Sequence, residues 1–350
     1  MRKPVGIAAI LAASLVLAAC GAAEDDTPDT TTDPTATDTA APAPSADQSM
    51  YIVPKLVGVA WFNRMEEGAN TWAERTGIAT TYTGPQDASP ENQVNVIQDL
   101  LASKPTAITV VPNSPESLNN VFQRARDEGI IIVTHEASNQ ENMDADIEAF
   151  QNSDYGALIM ENLAQCMGEE GQYAAFVGNL TAQTHMEWVD GALAKATADY
   201  PNIERVVDPI ESNEDEQTAY ERATEIITAY PDIKGFQGSA GTDVAGIARA
   251  VAEAGLTDEI CVMGTGLPSV AKRYLEDGSI DKIFFWDPAR AGEAMLEIAL
   301  RLANGETIGE GTDLGIEGYE SLTVHPERDN VFFGQATVVV DVNNVNDYNF

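Results

Sequence analysis

The chain has 350 residues, enough for two domains once any targeting segment is removed, and its 44% hydrophobic and 21% charged residues are ordinary for a globular protein. The charge is not ordinary: 19 basic residues stand against 56 acidic ones, a formal charge of -37 spread along the whole length. That balance excludes a nucleic-acid partner, because phosphate backbones need clustered Lys and Arg. It also disfavours docking on anionic lipid, and it reads as a solvated acidic surface.

Arg2 and Lys3 precede an apolar run, Val5 to Ala18, of about 14 residues. A membrane span needs ~20, so the run has the proportions of a signal-peptide core. It ends Leu17-Ala18-Ala19-Cys20-Gly21. This resembles the bacterial lipobox, whose cysteine is lipidated and becomes the new first residue, which makes Cys20 a lipid attachment point rather than a catalytic thiol. Glu24 to Gln48 is mostly Thr, Asp, Pro and Ala with no large apolar residue. Such a stretch cannot bury enough surface to order itself, and it is predicted to be a disordered tether. Residues 1–20 are thus expected to be the signal peptide and 21–50 the tether.

The body then alternates short apolar runs with amphipathic stretches. A strand is expected around Tyr51–Val53, a helix over Asn63–Arg75, a strand over Thr80–Thr83 and a helix over Pro90–Ser103. A strand Ala107–Val111, a helix through Leu118, Val121 and Ala125, and the β-branched strand Ile130–Thr134 follow. The pattern restarts with a helix Tyr155–Met167 and a strand Tyr173–Val177. Helices Met186–Ala198, Thr218–Thr228 and Asp243–Ala254 then alternate with strands Ile203–Val207, Ile233–Gln237 and Ile260–Met263. After a strand Ile283–Phe285 come a helix Ala291–Leu302 and short strands at Glu320–Val324 and Thr337–Val340. Fully apolar strands between helices imply a parallel sheet covered on both faces. The fold class is therefore α/β, with two doubly wound parallel-sheet lobes. Lobe one is expected to take 51–153 plus 287–318, and lobe two 154–286 plus 319–350.

Little of this chemistry looks catalytic. The histidines are His135, His185 and His325, with no metal-ligand spacing, no G-x-S-x-G elbow and no P-loop. Gly238-Ser239-Ala240-Gly241 has no following Lys and reads as a tight strand-to-helix turn. No enzyme, metal or cofactor is expected. Cys166 and Cys261 could form a disulfide, which export permits and which would contribute about 4–5 kcal/mol, or remain buried thiols.

Ligands of open α/β sheets bind outside the carboxyl ends of the strands, so two facing lobes make a cleft there. The strand ends supply Lys55, Trp61-Phe62-Asn63, His135-Glu136, Asn179 to His185, Ser239 to Asp243, Thr265-Gly266 and Trp286-Asp287. A sugar needs that mixture, with its C–H faces against aromatic rings and its hydroxyls on fixed charged and polar groups.

Val53-Pro54-Lys55-Leu56-Val57-Gly58, Trp61-Phe62, Tyr82-Thr83-Gly84-Pro85, Trp286-Asp287 and the final Asp347-Tyr348-Asn349-Phe350 carry a family resemblance. On them the chain from about Tyr51 onwards resembles the type I periplasmic sugar-binding proteins, nearest to the autoinducer-2 and rhamnose branch. The resemblance implies ribose-binding-like lobes, three interlobe crossings and a hinge. It also implies that an exported, lipid-anchored monomer delivers ligand to an ABC permease and ATPase. Lys55 matches a ligand-contacting lysine of that branch, and Glu136 falls where it carries an Asp. Thr184-His185 replaces an Asp-Gln pair, and Ser239 and Gly241 replace a Pro and an Ala, which favours a pentose, deoxyhexose or sugar alcohol over autoinducer-2. The expected ligand-binding residues are Lys55, Trp61, Phe62, Asn63, Glu136, Thr184, His185, Ser239, Gly241, Asp243, Trp286 and Asp287. The alternative is an autoinducer-2 receptor of the same fold.

Overall fold

The computed structural model describes residues 48–350; the signal segment, Cys20 and nearly all of the tether lie outside the described residues. The first strand, β1 (Ser49–Val53), begins inside the stretch assigned to the tether, which therefore ends earlier than expected. Met50 is fully buried there, so the strand starts where the chain regains a large apolar side chain.

The first lobe proceeds through α1 (Ala60–Thr76), β2 (Ala79–Tyr82), α2 (Pro90–Leu101), β3 (Ala107–Val110), α3 (Pro115–Asp127), β4 (Ile131–Thr134) and β5 (Ala145–Glu148). Helix α1 buries Trp61, Phe62, Met65, Ala69 and Trp72 along one side and stops at Gly77, whose φ of 73° a side chain would resist. Ser89 caps α2 by accepting the Asn92 N–H at 3.3 Å, with Pro90 at the first helical position.

The second lobe holds α4 (Asn152–Met167), β6 (Glu170–Val177), α5 (Gln183–Asp199), β7 (Asn202–Arg205), β8 (Ile210–Glu211), α6 (Glu216–Ala229), β9 (Ile233–Gly238) and α7 (Asp243–Glu253). It continues with β10 (Cys261–Thr265), α8 (Pro268–Asp277) and β11 (Lys282–Phe285). The chain then returns through α9 (Pro288–Ala303), β12 (Thr323–His325) and β13 (Arg328–Phe333) before β14 (Val338–Val340).

Two seven-stranded sheets result. One runs β12-β13-β5-β4-β3-β1-β2; the other runs β14-β11-β10-β9-β6-β7, with β8 also paired to β6. The central strands pair in parallel, and among the described residues only the β12–β13 and β11–β14 pairs are antiparallel. The chain passes between the sheets after β5, after β11 and between β13 and β14. Residues 319–350, expected wholly in lobe two, therefore divide. Strand β13 pairs with β5 in lobe one through Val331, Phe332 and Phe333, and only β14 joins β11 in lobe two.

Helices pack closely where glycine allows it: a Cβ on Gly68 of α1 would fall 2.1 Å from the Ala289 carbonyl oxygen on α9. Cys166, near the end of α4, and Cys261, at the start of β10, are bonded as a disulfide with Cα atoms 6.2 Å apart. That resolves the alternatives left open by the sequence. Among the described residues no helix is long and apolar enough to cross a membrane.

Candidate ligand-binding site

Both sheets turn their carboxyl edges towards one another, and the loops that leave those edges form the site. Lys55 follows β1 and is 2% exposed; its backbone is secured by the Asn113 side-chain amide, which donates to the Lys55 carbonyl at 2.7 Å. Glu136 follows β4 with a φ of 59°, a left-handed conformation that aims its carboxylate at Lys55. The Lys55 ammonium donates to Glu136 Oε2 at 2.6 Å. Across the cleft it meets His185 Nε2 at 3.0 Å and Glu214 Oε1 at 3.5 Å, both from lobe two. Trp61, Phe62, Trp188, Ser239, Gly241, Thr265 and Trp286 complete the wall around a cavity of about 10 Å³, room for roughly one water.

Burial alone would drive Lys55 towards neutrality, but Glu136 and Glu214 outweigh it and raise its pKa, so the ammonium stays charged. His185 is held well below the ordinary histidine range, first by burial and then by Lys55. Glu214 is pushed up by burial against the opposing pull of Lys55.

The neutral His185 ring is in conflict with its surroundings. Its Nδ1 accepts the Gly178 backbone N–H at 3.1 Å, which leaves the ring proton on Nε2. Nε2 then faces the Lys55 ammonium, donor against donor. Glu136 Oε2, at 3.6 Å from Nε2, is too far to relieve this, and an oxygen set beside the pair, about 2.9 Å from each nitrogen, would accept from both.

Trp286 is positioned with comparable care. Its Nε1–H donates to His135 Nε2 at 3.1 Å, while His135 Nδ1 donates to the Ile147 carbonyl. Its ring meets Trp61 edge-on at 4.7 Å, with Phe150 at 5.3 Å and Trp188 at 5.5 Å. Trp61, from lobe one, in turn reaches lobe two: a Cβ on Gly241 would lie 3.0 Å from the Trp61 ring.

Of the residues expected from sequence, Lys55, Trp61, Phe62, Glu136, His185, Ser239, Gly241 and Trp286 line the cavity together. Four do not. Asn63 is exposed on α1, rotated away from Trp61. Asp287 caps α9 by accepting the Ala289 N–H and pairs with Arg64 at 2.7 and 2.9 Å, and that Arg64 guanidinium lies over the Phe350 ring. Thr184 donates to Glu148 Oε1 at 3.2 Å behind the wall. Asp243 is buried and accepts the Ser239 and Ala240 N–H groups at 3.0 and 2.8 Å, holding the loop rather than facing the cavity. Trp188 and Glu214 were missed. Glu214 follows a two-residue strand too short to show a period, so no strand-end signal marks it.

Known proteins share this architecture. The model of the periplasmic binding protein domain matches residues 50–307. The D-allose-binding periplasmic protein of Escherichia coli is 25% identical over 260 residues, which cover 71% of this chain and 82% of the relative. LsrB from Clostridium saccharobutylicum, solved in complex with AI-2, superposes with a TM-score of 0.80 at 22% identity, covering 86% of this chain and all of that one (100%). A solute binding protein of an ABC transporter from Clostridium phytofermentas, with bound L-rhamnose, gives a TM-score of 0.80 at 19% identity over 86% of this chain and 98% of the other. With the family model spanning most of both lobes, the chain belongs to the periplasmic binding protein family.

Proposed function

We propose that the protein is the extracytoplasmic substrate-binding component of an ABC importer, and that its two lobes close over a neutral sugar or sugar-like ligand. The observation that carries this reading is the opposed pair of donors, Lys55 Nζ and His185 Nε2, 3.0 Å apart between indole rings and carboxylates. A sugar hydroxyl oxygen accepts from both donors and donates its own O–H to Glu136 or Glu214, while a C–H face of the sugar ring lies against Trp61 or Trp286. Hydrogen bonds to such charged groups contribute ~1.5–3 kcal/mol each. The relatives named for D-allose and L-rhamnose support the ligand class.

Export and lipid anchoring through Cys20 rest on the Arg2–Gly21 segment, and the 21–48 stretch serves as the tether. The partners of this reading are a permease and an ATPase that recognise the closed lobes, with the binding protein acting as a monomer and leaving its ligand chemically unchanged. Autoinducer-2 reception is the second reading. Lys55 and the likeness to LsrB favour it, while His185, Glu214, Ser239 and Gly241 give the lobe-two wall a different hydrogen-bonding pattern.

A thermal-shift panel of monosaccharides, sugar alcohols and autoinducer-2, followed by calorimetry on Glu136→Ala, tests both readings. A ligand that binds only the folded state raises its melting temperature. One neutral sugar should do so, and Glu136→Ala should lose the effect. Unchanged affinity in Glu136→Ala removes the site assignment, and a shift with autoinducer-2 alone selects the second reading.

A further inference from the structure

Glu214 stands on a loop built with unusual constraint. Ser212 and Asn213 donate their N–H groups to the Val177 and Gly178 carbonyls at 2.9 and 2.8 Å, which pins the loop to the end of β6. Asp215 then caps α6 by accepting the Thr218 N–H at 2.7 Å. Between these anchors Asn213 and Glu214 both adopt left-handed backbone, with φ of 55° and 56°, a conformation L-residues adopt only at a cost. The result turns the Glu214 side chain inward, where it is 6% exposed. Room for its carboxylate exists because residue 178 is glycine: a Cβ there would fall 2.3 Å from Glu214 Oε1.

That carboxylate has less than it needs. Lys55 is committed to Glu136 at 2.6 Å and stands 3.5 Å from Glu214, whose Oε1 is buried without a hydrogen-bond partner. Buried polar groups in native proteins are rarely left so. Glu214 also lines a groove of about 580 Å³ between the lobes, walled by Leu56, Asp87, Ser89 and Asn179, so it faces both this groove and the inner cavity. One charged lysine and a histidine without charge thus stand against two carboxylates.

We infer that Glu214 is the specificity-determining residue of the lobe-two wall: it accepts hydrogen bonds from the hydroxyls of a neutral polyol and turns away sugars that carry a carboxylate or phosphate. The inference rests on the sugar reading above. A polyol brings donors without charge, whereas a uronate would place a third negative charge a few ångströms from two others in a site with little water to screen it.

Calorimetry of wild type, Glu214→Gln and Gly178→Ala against D-allose, L-rhamnose, D-arabinose and D-glucuronate tests it, with melting curves to confirm folding. Glu214→Gln should bind the best neutral sugar about tenfold more weakly, as expected when a charge-assisted hydrogen bond becomes a neutral one, and should bind D-glucuronate about tenfold more tightly, as expected when a like charge is removed. Gly178→Ala keeps the charge but denies the carboxylate its space. It should show the weaker neutral-sugar binding without the gain for D-glucuronate. If Glu214→Gln leaves both affinities within twofold of a sugar-binding wild type, the inference falls alone. If wild type takes up none of these sugars, the sugar reading falls and carries the inference with it.

Discussion

The two walls of the cleft are built on different principles. On the lobe-one side the charged groups that face the cavity satisfy each other: Lys55 and Glu136 are paired at 2.6 Å, and the Asn113 amide N–H holds the lysine backbone, although its own Oδ1 is buried without a partner. On the lobe-two side they do not. Glu214 Oε1 and Ser239 Oγ are buried without partners, as are both amide atoms of Gln237 just behind the wall on β9, and His185 confronts a second donor. Lobe one is thus preorganised, whereas lobe two holds unused hydrogen-bonding capacity. On the proposed function, in which the lobes close over a ligand, that difference implies an order: ligand settles on the finished surface, and closure is driven by what the unfinished one gains.

The contrast can be broken most directly at Lys55. Lys55→Met removes the cation on which both walls converge and leaves Glu136 and Glu214 facing each other. Losing one member of a buried pair typically costs about 3–5 kcal/mol, so denaturant unfolding should show a loss of that size and calorimetry no sugar binding. Near wild-type stability with retained binding would mean that lobe one is not organised around this residue. The disulfide separates stability from recognition within lobe two. Cys166→Ala combined with Cys261→Ala should lower unfolding stability by about 2–5 kcal/mol while leaving sugar affinity at 25 °C unchanged, because the bridge joins α4 to the far end of β10.

A third measurement compares the lobes by pH. Asp146 on β5 is pushed up to about 7, first by burial and then by Glu187, against Thr134 and Arg328. Asp243 in lobe two is likewise pushed up to about 7 by burial, with Glu214 adding and the Ser239 and Ala240 N–H groups opposing. The folded chain therefore keeps protons that the unfolded chain releases near 3.8. The stability they contribute is fully present below that value and is lost as pH rises to about 7, at up to about 1.4 kcal/mol per pH unit for each group. Asp146→Asn should remove one share of that slope, read from melting curves between pH 4 and 8. An unaltered slope would mean that Asp146 ionises normally. The smallest effect is expected at Gly241, where a methyl group would press on the Trp61 ring at 3.0 Å. Gly241→Ala should weaken sugar binding about three- to tenfold, or about 1 kcal/mol, as the lobes stop slightly short.

Sequence periodicity located most of the helices and the central strands because their apolar residues are uninterrupted, as in Ile131–Thr134 and Ile283–Phe285. It failed where charge sits inside a buried strand. Strand β5 reads Ala-Asp-Ile-Glu, yet all four residues are buried, and β13 begins Arg-Asp-Asn before its apolar half. With β13 hidden by its polar start, 319–350 reads from sequence as belonging to one lobe, although β13 pairs with β5 and β14 with β11. In the site, residues adjacent in sequence were grouped although their directions differ. Asn63 follows Trp61 by two helical positions, a rotation of about 200°. Asp287 follows Trp286 in extended backbone, which sends neighbouring side chains to opposite sides. Glu214 was invisible because its placement depends on the Gly178 gap and a left-handed turn, neither of which leaves a periodic trace.

Trp61 meets Trp286 at 4.7 Å and lies against Gly241 of the lobe opposite its own, which has a practical consequence. On the proposed closure of the lobes, the contact of the lobe-one indole of Trp61 with Trp286 and Gly241 makes and breaks with each swing, which gives a built-in optical gauge. Ultraviolet emission from the unlabelled molecule should track each opening and shutting in real time, and Trp61→Phe should silence most of that signal.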